Sequence, residues 1–327
     1  MPTLATTSDG RVLHTPVLCE RIVELLSPAL TAPADDTAAV LVDCTLGMGG
    51  HATELLSANP QAQLIGIDRD SAALEIAAQQ LAPFGDRVRL VQAGFAELAT
   101  VLSDLGIRQV AAVLADLGLS SLQIADQTRG FAYASIAPLD MRMDTRQTLS
   151  AAEIVNTWSA AELARIFTSF GEERFATRIA AATVAARPIT DSAQLAMVVR
   201  ESLPAALRYG EQTGHPAKRV AQALRIAVNG ELEQLSALLP SALARLQVGG
   251  RLAVLSYHSL EDRLVKRAFT QETTDNAPAG LPVVPQHYQA KFRLLTKGAE
   301  RPTATESANN PRAKSARLRA VQRIKEA

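Results

Sequence analysis

One stretch constrains the fold of this chain more than any other. The apolar run from Ala38 to Val42 leads into Asp43-Cys44-Thr45-Leu46-Gly47-Met48-Gly49-Gly50-His51, the pattern of a buried strand that breaks into a glycine turn before a helix. Glycines there admit left-handed backbone and let a ligand approach where a Cβ would clash, and the helix opening near His51 presents free N–H groups. Seventeen residues past His51, Leu64-Ile65-Gly66-Ile67-Asp68 reads as a second strand ending in a carboxylate, placed to accept hydrogen bonds from a ribose diol. Together the two stretches describe a nucleotide-like ligand held at the ends of two strands.

Formally, Gly47-x-Gly49-x-x-Ala52 meets the dinucleotide fingerprint, with Asp68 twenty-one residues beyond Gly47. Asp43 argues against NAD, because a carboxylate beside a diphosphate is repulsive. A cation suits it. S-adenosylmethionine carries a sulfonium and an ammonium, has no phosphate, and needs a carboxylate for its ribose, so Asp43 with Asp68 fits it better. The plainer alternative is that the glycines only cap a helix, which leaves Asp68 without a role.

The chain has 327 residues, 47% of them hydrophobic and 20% charged, enough for one large or two moderate cores in an ordinary soluble enzyme. Residues 1–15 hold no signal-peptide stretch, and no window approaches the roughly eighteen apolar residues of a membrane span. A cytosolic protein with no membrane partner is therefore expected. Cys19 and Cys44 both sit in apolar contexts and read as reduced thiols, and the five scattered histidines suggest no metal site. The net charge of zero hides an asymmetry: His287 to Ala327 carries ten Lys and Arg against three Glu, +7, which leaves −7 on the rest. A basic segment on an acidic body can seat phosphates in one place, although it also reads as a solvated tail.

Short β-rich runs alternate with helical patterns through residue 116: strands at Val40–Cys44, Leu64–Asp68, Val88–Val91 and Val110–Asp116, and helices from about His51, over Ser71–Leu81 and near Ala96–Leu105. Repeated βα units predict an α/β fold with a mostly parallel, Rossmann-like sheet whose ligands gather at the carboxyl ends of the strands. From Ser150 to about Leu207 the pattern is helical only. Ser150 and Ser159 each start a capping box, and Pro188 and Pro204 stop helices over Glu172–Arg187 and Asp191–Glu201. This predicts an inserted all-helical domain over residues 126–215, between core segments 1–125 and 216–327. A long helix from Pro216 to Leu246, a strand Arg251–Tyr257 after Gly249-Gly250, and a helix Ser259–Phe269 follow. Asp275 to Pro285 reads as a loop, Phe292–Leu295 and Leu318–Ile324 as final strands, and Thr303–Asn310 as flexible.

Asp116 to Gln123 leaves the fourth strand where a methyl acceptor meets the cofactor in a class I methyltransferase. Other long stretches follow the same order: His14 to Leu18, the glycine loop, Arg129-Gly130-Phe131, Pro138 to Asp144, Phe170 to Ala176, His215 to Ala217, Gln222 to Asn229, Ser256 to Arg263, and Asn310 to Arg319. On these stretches the chain resembles, over nearly its whole length, the bacterial small-subunit ribosomal RNA cytosine-N4 methyltransferases, the RsmH or MraW family. The resemblance implies S-adenosylmethionine bound by Gly49, Gly50 and His51, with Asp68, Phe95, Asp116 and Gln123 completing the site. Asp43 and Gly47 join them on the reading of the residues. It further implies as target a cytidine of 16S rRNA in the decoding (P-site) region of the small ribosomal subunit. Leu122, Ala137 and Val220-Ala221 depart from the family pattern, none at a proposed cofactor ligand.

Cytosine N4 is a poor nucleophile because its lone pair is delocalised, so positioning and a nearby proton acceptor must carry catalysis. Asp116 and, second, His258 are the acceptor candidates, with His258 equally readable as a residue that orients loop backbone. Phe131 and Tyr133 could stack on an extruded base or plug a core. Arg129, Arg142, Arg312, Lys314 and Arg317 are the candidate phosphate contacts. Phe95 would pack on adenine or in the core, and Gln123 would hold the cofactor or cap a helix. Two rival readings stand beside the RNA methyltransferase: a small-molecule methyltransferase with the insertion as lid, and a non-enzymatic RNA-binding factor. A homodimer stays open.

Overall fold

The computed structural model describes residues 5–6, 12–13, 16–31, 38–131, 136–208, 215, 217–278 and 285–326. The chain divides into two compact units, residues 1–118 with 233–327, and residues 119–232.

The first unit is built on seven strands: β1 Val40–Asp43, β2 Gln63–Asp68, β3 Val88–Gln92, β4 Val110–Asp116, β5 Leu246–Ser256, β6 Phe292–Leu294 and β7 Arg317–Arg323. Their order is β3-β2-β1-β4-β5-β7-β6. β1 to β5 pair in parallel, and β7 runs antiparallel between β5 and β6. Alternate residues of each central strand enter opposite cores. Leu41, Leu64, Leu114 and Leu255 join one cluster, while Val42, Ile65, Val113 and Val254 join the other. Period-two burial on both faces is what a sheet covered by helices on both sides requires. Helices α1 Cys19–Leu30, α2 Gly50–Ala58 and α3 Ser71–Leu81 supply the first cluster; α4 Leu98–Asp104 supplies the second.

The second unit begins with α5 Ser121–Ala125, followed by α6 Ala151–Thr157, α7 Ala160–Ser169, α8 Ala176–Ala185, α9 Ser192–Ser202, α10 Ala205–Arg208 and α11 Lys218–Asn229. Ser150, Ser159 and Asp191 cap α6, α7 and α9 by accepting from the backbone N–H three residues on. α8 starts at Ala176 rather than Glu172, because Glu172 adopts a left-handed φ of 49° and breaks the helix there.

The expected helix from Pro216 to Leu246 is two helices. Gly230, at φ 57°, terminates α11, and α12 Glu231–Arg245 starts anew. The sequence boundaries at 125/126 and 215/216 consequently differ from the compact units. Val220, Ala223, Leu224 and Val228 of α11 are buried in the helical core, not against the sheet. Asn229 fixes them there: its side chain accepts from Met143 N–H at 2.8 Å and donates to Met141 O at 2.8 Å.

β5 starts at Leu246 and carries Gly249 and Gly250 within it, where a turn was expected; the pairing with β4 shifts register between Val110 and Ala112. α13 is Ser259–Glu272. Residues 303–310, expected to be flexible, hold α14 Ala304–Asn309, capped by Thr303. The loop expected over Asp275–Pro285 lies partly outside the described residues. Among the described residues no helix is long and apolar enough to cross a membrane.

Gly130 and Gly85 separate two demands on backbone. Both have positive φ, but a Cβ at Gly130 would stand 1.9 Å from Pro138 O, whereas one at Gly85 would meet nothing within 4 Å. Gly85→Ala should therefore cost about 1–3 kcal/mol of stability from backbone strain alone, since φ 56° with ψ −133° is a region essentially confined to glycine. Gly130→Ala should cost clearly more, about 3 kcal/mol or above, because a backbone carbonyl must also move. Thermal unfolding of both variants checks this, and equal losses would contradict it.

Candidate active site

The site is assembled from the carboxyl ends of β1, β2 and β4. Because β1 lies between β2 and β4, Asp43, Asp68 and Asp116 end neighbouring strands. Thr45 links two of them: its Oγ1 accepts from Asp116 N–H at 2.6 Å and donates to Asp43 Oδ1 at 3.4 Å, and its N–H donates to the same oxygen at 3.1 Å. The glycine loop is strung across the strand ends. Cys44 N–H donates to Leu114 O, Leu46 N–H to Ile67 O, and Gly47 N–H to Asp68 Oδ2 at 2.7 Å.

The glycines serve different ends. Gly47 and Gly49 have φ of 54° and 85°, which a side chain would strain, and Gly49 is the N-cap of α2 without any side-chain cap. Gly50 is required by packing instead, since a Cβ there would lie 2.8 Å from Pro16 Cγ. The sequence reading gave all three to the ligand; the close approach of Pro16 adds a packing reason for glycine at position 50. The opening N–H groups of α2 have no acceptor further back in the helix.

Asp68 accepts one N–H on each oxygen, from Gly47 on Oδ2 and from Asp70 on Oδ1 at 2.9 Å. A carboxylate has about four lone-pair sites, so a diol can still be held. His51, on α2, places Nε2 2.9 Å from Val17 O. A carbonyl only accepts, so Nε2 carries the proton. Burial lowers the imidazole pKa, which leaves Nδ1 as an acceptor, 3.7 Å from Asp116 Oδ2.

Burial pushes Asp43 up to about 7, eased by the neighbouring His51 and the Thr45 N–H. Burial likewise pushes Asp116 up to about 7, against the pull of the Tyr257 hydroxyl. Asp68 is raised by burial too, with the Asp70 and Gly47 N–H groups opposing. Among the described residues no Lys or Arg forms an ion pair with Asp43 or Asp116. Two enclosed carboxylates short of a countercharge fit a cationic ligand and oppose a pyrophosphate. S-adenosylmethionine, with its sulfonium and ammonium, fits this donor set.

Phe95 follows β3, packs at the edge of a core cluster, and has the Arg69 guanidinium 5.4 Å from its ring centroid. Gln123 lies in the helical unit and caps α5: its Oε1 accepts from Ser120 N–H at 3.1 Å while Ser120 Oγ accepts from Gln123 N–H. His258 is the N-cap of α13, with Nδ1 accepting from Glu261 N–H and Nε2 3.2 Å from Glu261 Oε1. With Nδ1 accepting a backbone N–H, a neutral His258 carries its proton on Nε2, which is buried and makes no hydrogen bond, and this leaves Asp116 as the stronger acceptor candidate.

The expected RNA contacts separate sharply. Arg129 donates to the carbonyls of Arg142 and Met143, both at 2.8 Å. Arg142 forks onto Asp140 at 2.8 and 2.7 Å. Phe131 is 7% exposed and packs in the helical core, which fits the core-plug reading of the two. Tyr133 lies outside the described residues. Arg317 pairs with Asp262 at 3.0 Å beside Arg319 at 2.7 Å. Lys314 is exposed and Arg312 half-buried. The basic segment thus contributes two strands to the sheet, and part of its charge is answered internally. Tyr257, whose hydroxyl donates to Asp116 Oδ1 at 2.7 Å, and Thr45 carried no sequence signal beyond their places at strand ends.

The pH dependence of ligand binding follows. A cation between Asp43 and Asp116 favours their ionised forms, so binding below about pH 7 must release protons, and affinity should rise toward about pH 7 and then level. In the ligand-free protein the same two groups lower stability as pH rises from about 4 to about 7, since the folded state still holds protons that the unfolded chain has lost. Calorimetric titration with S-adenosylmethionine at about pH 6, in buffers of different ionisation enthalpy, counts the protons. A count near zero would remove the carboxylates from the site.

The chain matches the MraW methylase family over residues 11–324. It is 55% identical over 316 residues to the ribosomal RNA small subunit methyltransferase H of Thermobifida fusca, covering 96% of this chain and 94% of that one. The protein of the same name from Streptomyces avermitilis is 53% identical over 317 residues, with 96% and 98% covered. That from Cutibacterium acnes is 52% identical over 328 residues, with 99% and 95% covered. Since both the family match and these relatives extend across nearly the whole chain, the glycine loop and its carboxylates included, the chain belongs to the MraW methylase family.

Proposed function

We propose that this protein transfers a methyl group from S-adenosylmethionine to the exocyclic N4 of a cytidine in the decoding (P-site) region of 16S rRNA in the small ribosomal subunit. The observation that carries the chemistry is the pair of enclosed carboxylates, Asp43 and Asp116, joined through Thr45 beneath the glycine loop. The RNA class rests on the relatives named above.

When bound, S-adenosylmethionine supplies a methyl on a sulfonium sulfur, and its transfer to N4 leaves a neutral thioether and one N4 proton to be removed. Asp68 holds the ribose hydroxyls while its other lone pairs keep the Gly47 and Asp70 N–H groups in place. Asp43 and Asp116 offset the cofactor's positive charge. Phe95 provides an apolar surface next to Asp68 for the adenine. Asp116 Oδ2, which makes no hydrogen bond among the described residues, accepts the proton that leaves N4. Once the positive charge on sulfur is gone, a carboxylate raised by burial takes that proton readily.

The phosphate contact is assigned to Lys314, whose side chain is exposed, because Arg129, Arg142 and Arg317 already hold protein groups. Labelled methyl transfer to small subunits lacking the modification should yield N4-methylcytidine. No product, with cofactor binding confirmed, would sink the rRNA reading. Lys314→Ala should weaken subunit binding and lower the salt-dependence slope by about one, with cofactor affinity kept. An unchanged slope would take Lys314 out of the interface.

A further inference from the structure

Tyr257, immediately after β5, has no place in the steps above, yet it is fixed at both ends. Its N–H donates to Glu261 Oε2 at 2.8 Å, and its hydroxyl donates to Asp116 Oδ1 at 2.7 Å. Its ring lies along the strand-end loop, where a Cβ on Gly118 would stand 3.4 Å from Tyr257 Cδ2. The groups around Asp116 come from four directions: Tyr257 after β5, His51 on α2, Asp43 at the end of β1, and Glu261 on α13. Arg312 and Glu306 carry charges close enough to act on the phenol.

We propose that Tyr257 is a positioning residue for methyl transfer: its hydroxyl engages Asp116 Oδ1, fixes the carboxylate's rotation, and reserves Oδ2 for the proton that leaves the substrate amine. This deepens the reading under Proposed function and rests on it. His51 cannot do the same for Oδ2, because Val17 O holds its only proton on Nε2. Tyr257 is therefore the one neutral side-chain donor on this carboxylate among the described residues. A donor to a carboxylate stabilises the ionised form over the acid. It opposes burial and the Glu261 charge, both of which favour the acid form of Asp116. Without the hydroxyl, Asp116 would stay protonated to higher pH and could neither accept a proton nor face a cation.

The test is Tyr257→Phe, which keeps the ring against Gly118 and removes one oxygen. Two profiles are measured between about pH 5.5 and about pH 9, for parent and variant: kcat/KM for methyl transfer to unmodified small subunits, and Kd for S-adenosylmethionine alone. The acid limb of both should move up by about one pH unit, so the variant's deficit is about tenfold near pH 6 and shrinks as pH rises. Tyr257→Leu, which also loses the ring, should show the same upward shift plus a pH-independent loss. Superimposed parent and Phe profiles would overturn the proposal, and so would a Phe deficit that is equal at every pH. If the parent transfers no methyl to subunits, the rRNA reading fails, and the binding profile still decides whether Tyr257 governs Asp116.

Discussion

Everything at the candidate active site depends on three acidic side chains being held at adjacent strand ends, with no Lys or Arg among the described residues in an ion pair with Asp43 or Asp116. Parallel pairing of β1 with β2 and β4 brings Asp43, Asp68 and Asp116 together, and the Thr45 hydroxyl joins Asp43 to the backbone of Asp116. Such a cluster is costly when empty, because enclosed carboxylates lose hydration. It becomes favourable when a cation arrives. The same strain that raises Asp43 and Asp116 therefore selects a sulfonium cofactor over a phosphate-bearing one, and leaves Asp116 able to take a proton near neutral pH.

The frame around the cluster is tied by residues far apart in the chain. His51 is anchored on Val17 O, Gly50 packs on Pro16, and Arg21 of α1 forks onto Glu300 at 2.8 and 3.0 Å. Glu306 accepts the Leu18 N–H at the start of α1. The stretch that leads into α1 and the C-terminal segment thus brace the loop from the same side as α2. In the C-terminal segment, Arg317 and Arg319 hold Asp262 of α13, and Arg323 donates to Leu246 O at 2.6 Å. Three of the ten cations in a segment that reads as a nucleic-acid tail thus fasten β7 in place.

Much of this was legible beforehand. The βα alternation located β1 to β4 within a residue or so, because apolar runs closed by Gly or Asp leave few other conformations. Ser71–Leu81 and Val110–Asp116 coincide with the structure, and Ser150, Ser159 and Asp191 cap the helices they precede. The misreadings share a cause. Pro216–Leu246 looked like one helix because its apolar period continues through Gly230, and only packing shows that α11 belongs with the helical unit. Gln123 and His258, each open to two readings from the sequence, make cap hydrogen bonds with Ser120 and Glu261 that only the folded chain shows.

The sequence by itself determined the class of the fold, the glycine loop, the carboxylates at 43, 68 and 116 and the capping of the helices, because these follow from local periodicity and backbone chemistry within a few residues. The tertiary structure decided which charges remain available. Arg319 meets Asp262 across 57 positions, and Tyr257 meets Asp116 across 141. A side chain's chemistry is set by what lies within about 4 Å of it, and for these residues only the folded chain puts anything there.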